Sequence, residues 1–147
     1  MAQLRGSAIL PLLICIQILP TELGAQQQLS TRLTGLWALA HTDRNYCKEY
    51  EDGTLNRLSR AEASQAGLVR IKEKSMEWVY TPASCDVSKV EGGPTRYVAK
   101  AKCELRGTEY DSDITFSVGP TGQMSMGFSN GNFLFPETSN YVRCSAN

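Results

Sequence analysis

The sequence predicts an all-β protein: a single small antiparallel meander closed into a β-barrel, with one short helix in the loop after the first strand and two disulfides. Short segments with an apolar residue at every second position recur from residue 33 onward, separated by Gly, Pro and Asn turn signals. Cys85 and Cys103 also fall opposite each other when the chain reverses at 91–94. Closure into a barrel removes the exposed edges of such a meander, and a sandwich is the alternative.

Residues 1–25 show the pattern of a cleaved secretory signal peptide, with a basic start at Arg5 and an apolar run over 8–19. Pro11 and Pro20 break the apolar run, and the run is shorter than the roughly 20 apolar residues that a membrane-spanning helix needs. We therefore expect export to the periplasm or the medium, with no stable membrane anchor. The predicted organisation is a signal peptide at 1–25, a flexible leader at 26–32 and the barrel domain at 33–147.

The first predicted strand covers 33–40, and the charged stretch 41–67 that follows is the longest irregular segment. Within it, Ser59 and Glu62 have the spacing of a capping box, Ala-rich residues follow, and Gly67 suits the end of a helix. These signals predict one short helix, and we expect the remainder of the segment to be exposed loop. A loop of this length in a compact domain is usually functional or disordered.

From residue 68 the apolar period changes to two, which predicts strands. The runs 69–71 and 76–80 form one predicted hairpin, and 85–90 with 96–105 form the next. The remaining strands are predicted at 114–118, 124–128, 132–135 and 141–144. Several aromatic residues at alternating positions are expected to fill the core rather than line a ligand pocket, namely Trp78, Tyr80, Tyr97, Phe116 and Phe128.

Four cysteines remain after the predicted cleavage, and an even number in an exported chain usually forms disulfides. Directly opposed residues of an antiparallel pair bring their Cα atoms within disulfide range, which favours Cys85 with Cys103. Of the possible connectivities, we favour this pair together with Cys47 and Cys144. The second bridge would close a loop of about a hundred residues and stabilise the fold by roughly 4–5 kcal/mol.

The charge balance bears on the partner. The chain carries 15 basic and 15 acidic residues, a formal net charge of zero. Nucleic acids and anionic membrane surfaces select a basic face, so this balance argues against both as the main partner.

Catalytic groups are sparse in the sequence. His41, the single histidine, lies two residues before Asp43, but no nucleophile motif accompanies them and a solvated loop histidine is the favoured interpretation. The cysteines lack C-x-x-C spacing, and the carboxylates at 51–52 and 111–113 fall in predicted turns. We therefore predict no catalytic residue, no metal site and no cofactor, in a protein that is not an enzyme.

Gly35, Leu36 and Trp37 on the first strand, with Arg143 on the last, resemble the calycin pattern of lipocalin-like barrels. There an early tryptophan packs in the barrel floor beneath a late basic residue, so the resemblance implies a structural floor role for Gly35, Trp37 and Arg143. The segment 33–39 also resembles the opening of small bacterial metalloprotease inhibitors of the Inh type, and a disulfide-bearing barrel is similar to periplasmic lysozyme inhibitors. The whole arrangement looks most like uncharacterised small exported proteins of Gram-negative bacteria, which implies a compartment and a fold.

Two surface segments favour protein recognition: the charged stretch 41–67, and a stretch that places Met and Phe side chains beside a flexible Ser-Asn-Gly turn. In the second, the residues expected to contact a partner are Asn130, Asn132, Phe133 and Phe135. We predict an exported non-enzymatic binding protein, an inhibitor of a hydrolase (lysozyme or protease) that acts through surface loops. The alternatives are a secreted virulence effector acting in a host cell and a lipocalin-type carrier of a small apolar ligand. The oligomeric state stays open.

Overall fold

The computed structural model of the protein describes residues 29–129 and 138–144. The predicted signal peptide at 1–25 lies outside the described residues, as does the strand predicted at 132–135. So do the four predicted partner-contact residues, Asn130, Asn132, Phe133 and Phe135.

Eight strands form a closed antiparallel barrel in which each strand pairs with the next along the chain and the last pairs with the first. The all-β barrel prediction is therefore confirmed, and the sandwich alternative is wrong. The elements in order are β1 (Gly35–Leu39), α1 (Tyr46–Glu51), a 3-10 turn (Leu55–Arg57), α2 (Arg60–Ser64), β2 (Val69–Ile71), β3 (Ser75–Trp78), β4 (Ala83–Gly92), β5 (Arg96–Leu105), β6 (Thr108–Val118), β7 (Met124–Phe128) and β8 (Ser139–Arg143).

Strand alternation sorts side chains between the barrel interior and water. On β5, Tyr97, Ala99 and Ala101 are buried, whereas Lys100 and Lys102 are exposed. The same period on the other strands fills the interior with large side chains, of which the most deeply buried include Trp37, Ile71, Met76, Ile114, Phe116, Met124, Met126 and Tyr141.

The strand directions distribute the connections between two ends of the barrel. At one end, here called the insertion end, lie the long segment 40–68 and the turns 79–82 and 106–107. At the other, the floor end, lie 29–34 and the turns 72–74, 93–95 and 119–123.

The long segment 40–68, here called the insertion, folds onto the outer wall of the barrel. Its helix α2 begins with the predicted capping box, since the Ser59 side chain accepts from the Glu62 N–H and Glu62 bonds back to Ser59. The expectation that the rest is exposed loop is wrong, because α1 and the 3-10 turn bury apolar residues. A second hydrophobic cluster joins the insertion to the outward faces of the neighbouring strands, through Ala38, Tyr46, Cys47, Leu55, Ala66, Leu68 and Cys144.

Both predicted disulfides are confirmed. Cys85 and Cys103 are directly opposed on β4 and β5, with their Cα atoms 4.0 Å apart. Cys47 on α1 is bonded to Cys144, just after β8, across 97 residues of sequence. Two disulfides indicate that the protein folds in a non-cytoplasmic, oxidising compartment.

A β-bulge at Ser88 sets the register of the first bridge. From Gly92 opposite Tyr97, pairing proceeds residue by residue to Lys89 opposite Lys100. Continued unchanged, that register would place Cys85 opposite a glutamate on the outer face. Ser88 has no partner residue in the ladder, and this one extra residue restores the match of cysteine to cysteine.

Leu29, in the predicted leader, packs against the barrel core: it is 3% exposed, and its N–H donates to the Glu73 carbonyl oxygen at 2.7 Å. One further expectation differs from the structure. Tyr80 was expected to face inward with its aromatic neighbours, but β3 ends at Trp78 and Tyr80 packs against the outer cluster.

Candidate functional site

The barrel floor is built around Trp37, which is 1% exposed. Its indole N–H donates to the Leu33 carbonyl oxygen at 2.7 Å, so the ring orientation is fixed by the segment that enters β1. Arg143 lies directly opposite Trp37 in the pairing of β8 with β1. The guanidinium carbon of Arg143 is 4.9 Å from the centre of the Trp37 ring, a distance at which cation and ring attract each other.

Arg143 also ties the floor to the chain that precedes β1. Its Nη2 donates to the carbonyl oxygens of Thr31, Arg32 and Thr34, at 3.4, 2.6 and 2.9 Å. Gly35 has φ +133°, a conformation that favours glycine, and a Cβ there would lie 3.8 Å from Arg143 Nε. The structure thus brings together Gly35, Trp37 and Arg143, the three residues assigned to the floor by resemblance.

A groove of about 710 Å³ separates the first part of the insertion from β8. We call it the insertion groove. Cys47 anchors one wall through its disulfide, and Val142 and Arg143 form the other. Its polar lining is of mixed charge and includes His41, Asp43, Arg44, Lys48, Glu51 and Gln123.

His41 is held as part of a turn. Its Nδ1 accepts the main-chain N–H of Asp43 at 3.1 Å, and its ring meets Tyr46 edge-on at 5.8 Å. The Asp43 main chain, not its carboxylate, therefore occupies the nitrogen that a catalytic histidine would use to bind an orienting carboxylate. The arrangement is that of a structural turn.

Arg44, close to His41 in the same segment, is held in place by two contacts. Its guanidinium forms an ion pair with the Glu49 carboxylate and lies 4.7 Å from the centre of the Tyr46 ring. The hydrogen bond to Glu49 raises the pKa of Arg44 above its usual value. Arg44 is thus a positioned cation at the lip of the groove.

In each carboxylate pair noted in the sequence, at least one member has a partner in the structure. Asp52 accepts the Thr54 N–H at 2.9 Å, and hydrogen bonding from Thr54 lowers the pKa of that carboxyl. Asp113 forms an ion pair with Lys100 at 3.5 Å on the outer face of the barrel, where Asp111 is also exposed. Within 29–129 and 138–144, no three His, Cys, Asp or Glu side chains are grouped so that they could hold a metal ion.

An aromatic contact fixes the insertion to the β3–β4 turn. Tyr80 donates its hydroxyl to Asn56 Oδ1 at 2.7 Å, and its ring meets Tyr50 at 6.4 Å. Arg60 Nε donates to the Tyr80 carbonyl oxygen at 3.2 Å. Sequence reasoning missed these residues because they lie 20 or more positions from Tyr80 and meet only when the insertion folds back.

Comparison with known proteins found no matching family model, curated protein or solved structure. Of the helices in the described part of the chain, none has the length and apolar character to cross a membrane.

Proposed function

We propose that this protein is an exported, non-enzymatic binding protein that inhibits a hydrolase through its surface loops. The observation that carries the proposal is the insertion, a segment that is clamped to the barrel by Cys47–Cys144 and by a buried apolar cluster of its own. Its charged side chains still face water beside a groove. A recognition segment fixed before binding loses less conformational entropy when it binds, which favours tight inhibition.

The polar groups of the groove support binding rather than catalysis. His41 is engaged by a main-chain N–H, and Arg44 is held by Glu49 and Tyr46. Such side chains offer a fixed pattern of charge to a partner surface.

The proposal includes export through a cleaved signal peptide at 1–25. The two disulfides support an oxidising destination, either the periplasm or the medium. The resemblance to small inhibitor barrels of Gram-negative bacteria belongs to the same proposal, supported by the stacking of Arg143 on Trp37.

The carrier alternative has less support from the interior. A small apolar ligand would need space inside the barrel, and Trp37, Phe116 and Tyr141 are all buried there together with the methionines. An effector role in a host cell remains a proposal that cell fractionation can separate from inhibition.

The test measures inhibition by the disulfide-bonded protein lacking residues 1–25. We expect at least one member of a panel of lysozymes and secreted proteases to be inhibited at micromolar concentration. In the insertion groove, the charge swap Lys48→Glu with Glu51→Lys keeps the net charge but reverses the local pattern, and should weaken inhibition about tenfold or more.

The matched control is a second neutral swap away from the groove. Lys72, in the β2–β3 turn, and Glu77, on β3, form an exposed ion pair at 2.9 Å. Exchanging them as Lys72→Glu with Glu77→Lys should leave inhibition unchanged. A panel in which no hydrolase is inhibited would refute the proposal. An equal loss of inhibition in the two charge-swap variants would refute the assignment of the inhibitory surface to the insertion groove.

A further inference from the structure

We propose that the floor end of the barrel carries a second site, adjoining the insertion groove at Gln123, Val142 and Arg143, that binds a small polar molecule bearing a carboxylate or phosphate. The inference goes beyond inhibition and does not depend on it. It rests on a cleft at the β6–β7 turn and on the arginines that line it.

The cleft consists of two grooves that meet at the turn 119–123. One has a volume of about 710 Å³ and the other about 390 Å³, and both are lined by Val118, Gly119 and Gln123. Small-molecule sites commonly occupy roughly 300–1,000 Å³, so the space suits a molecule larger than a bare ion. We call the two grooves together the floor cleft.

The charge of the floor cleft is of one sign. Arg32 and Arg143 line the larger groove, and Arg96 lines the smaller. Among the described residues, no carboxylate lines either groove. The chain as a whole has a formal net charge of zero, so this excess of positive charge is local and points to an anionic ligand.

Arg143 is already oriented for this purpose. All its side-chain hydrogen bonds to described residues run through Nη2, and the Trp37 ring supports the guanidinium from one face. Its remaining N–H groups are thus available to a ligand as far as the described residues are concerned. A planar guanidinium held in place is suited to the paired oxygens of a carboxylate or phosphate.

The remaining lining indicates what else the ligand carries. Thr121, Gln123 and Asn140 contribute exposed hydroxyl and amide groups, which bond to ligand hydroxyls rather than to apolar surface. An acidic sugar has both features. A hexuronate supplies a carboxylate and a hexose phosphate supplies a phosphate, and the experiment includes one of each.

The test uses the indole N–H signals in an NMR titration of the disulfide-bonded protein. The chain has 2 tryptophans, so the spectrum gives one signal for Trp37 below the cleft and one for Trp78. Glucuronate, glucose 6-phosphate and neutral glucose are added in turn at low ionic strength. We expect at least one acidic sugar to shift the Trp37 signal saturably, glucose to have no effect, and added salt to weaken binding.

Two double variants locate the site. Arg32→Gln with Arg96→Gln removes two charges from the cleft and leaves the Arg143 stacking on Trp37 intact, and it should weaken binding about tenfold or more. Arg57→Gln with Arg106→Gln removes two exposed charges elsewhere and should leave the affinity unchanged. The proposal is overturned if neither acidic sugar shifts Trp37, if glucose shifts it equally, or if the two double variants behave alike.

Discussion

At the residue scale, Arg143 shows how one side chain can hold together parts of the chain that are far apart in sequence. It stacks on Trp37 and donates to carbonyl oxygens of Thr31, Arg32 and Thr34, more than a hundred residues away. Removing Arg143 would take one donor from each of these carbonyl oxygens, of which that of Thr31 would keep the Thr34 hydroxyl, and would remove the cation stacked on the indole ring. Arg143 therefore has a structural role at the barrel floor.

Arg143→Ala should lower the free energy of unfolding by about 1–3 kcal/mol, since it removes charge-assisted hydrogen bonds and a cation–π contact. Urea unfolding at neutral pH measures the change. Arg57→Ala, at an exposed position of the 3-10 turn, is the control and should stay within about 0.5 kcal/mol of the parent. Equal stabilities of the two variants would contradict the structural role of Arg143.

Tyr141 should make the fold sensitive to alkali. Burial of its hydroxyl raises the pKa of Tyr141, an effect only partly offset by Trp78. An unfolded tyrosine ionises near a pKa of about 10, whereas the buried Tyr141 stays neutral to higher pH. The contribution of neutral Tyr141 to the free energy of unfolding is therefore complete below about pH 10 and is lost as pH rises toward the folded-state pKa. We expect the free energy of unfolding to fall above about pH 10, and to fall less steeply in Tyr141→Phe. Identical slopes for the two proteins would contradict this.

At the element scale, the β4–β5 hairpin shows that two local signals can require different registers. Its turn fixes Gly92 opposite Tyr97, whereas the disulfide requires Cys85 opposite Cys103, and the two requirements differ by one residue. The bulge at Ser88 reconciles them. The Ser88 hydroxyl also donates to the Lys100 carbonyl oxygen at 3.1 Å, which satisfies an acceptor at the irregular step.

Deleting Ser88 should place the turn and the disulfide in conflict. Whether the variant keeps the register of the turn or that of the disulfide, we expect its free energy of unfolding to fall by roughly 2–5 kcal/mol, comparable to the effect of losing the disulfide itself. Denaturant unfolding together with a count of free thiols measures the outcome. Ser88→Ala keeps the chain length and should lose less than about 1.5 kcal/mol, the usual contribution of one hydrogen bond. A deletion variant as stable as Ser88→Ala would show that the bulge does not set the register.

The same scale shows why some elements could be predicted and others not. Helix α2 could be predicted from Ser59 and Glu62, whose side chains complete a local capping box. Helix α1 has no such box and is only 6 residues long. Its stability comes from the contacts of buried Tyr46 and Cys47 with the barrel wall, and those contacts are invisible to local pattern.

At the whole-molecule scale, the two disulfides constrain the chain over different distances. Cys47–Cys144 spans 97 residues and joins the insertion to the end of β8, whereas Cys85–Cys103 spans 18 within one hairpin. Each also belongs to a different buried cluster, one outside the barrel wall and one inside. The longer bridge therefore governs whether the insertion stays on the wall.

Replacing Cys47 and Cys144 by Ser should destabilise the fold more than replacing Cys85 and Cys103, by about 1–2 kcal/mol, because the longer loop has more entropy to regain. Hydrogen exchange should show lost protection in α1 and the 3-10 turn, with β4 to β6 still protected. Loss of protection first in β4 and β5 of the Cys47/Cys144 variant would contradict this assignment.

Much of the architecture was predictable from the sequence because alternation, turn residues and cysteine placement act locally or through strand register. The insertion groove and the floor cleft were not. Arg32, Arg96 and Gln123 come from three separate segments, and only closure of the barrel brings them around one turn. Charge clusters assembled across a fold leave no spacing pattern in the chain.

Barrel closure has one more consequence, for how any partner can be held. The eight described strands form a ring in which each strand is paired with two neighbours over at least part of its length, so none of them is an edge strand along its whole length. An extended peptide that adds to a sheet needs a strand with one free side, and closure of the barrel leaves fewer such positions than an open sheet of the same strands would. We therefore expect side chains to contribute more than main-chain hydrogen bonds to the binding of a peptide by the barrel wall. N-methylation of the backbone amides of such a peptide should weaken its binding less than changes to its charges.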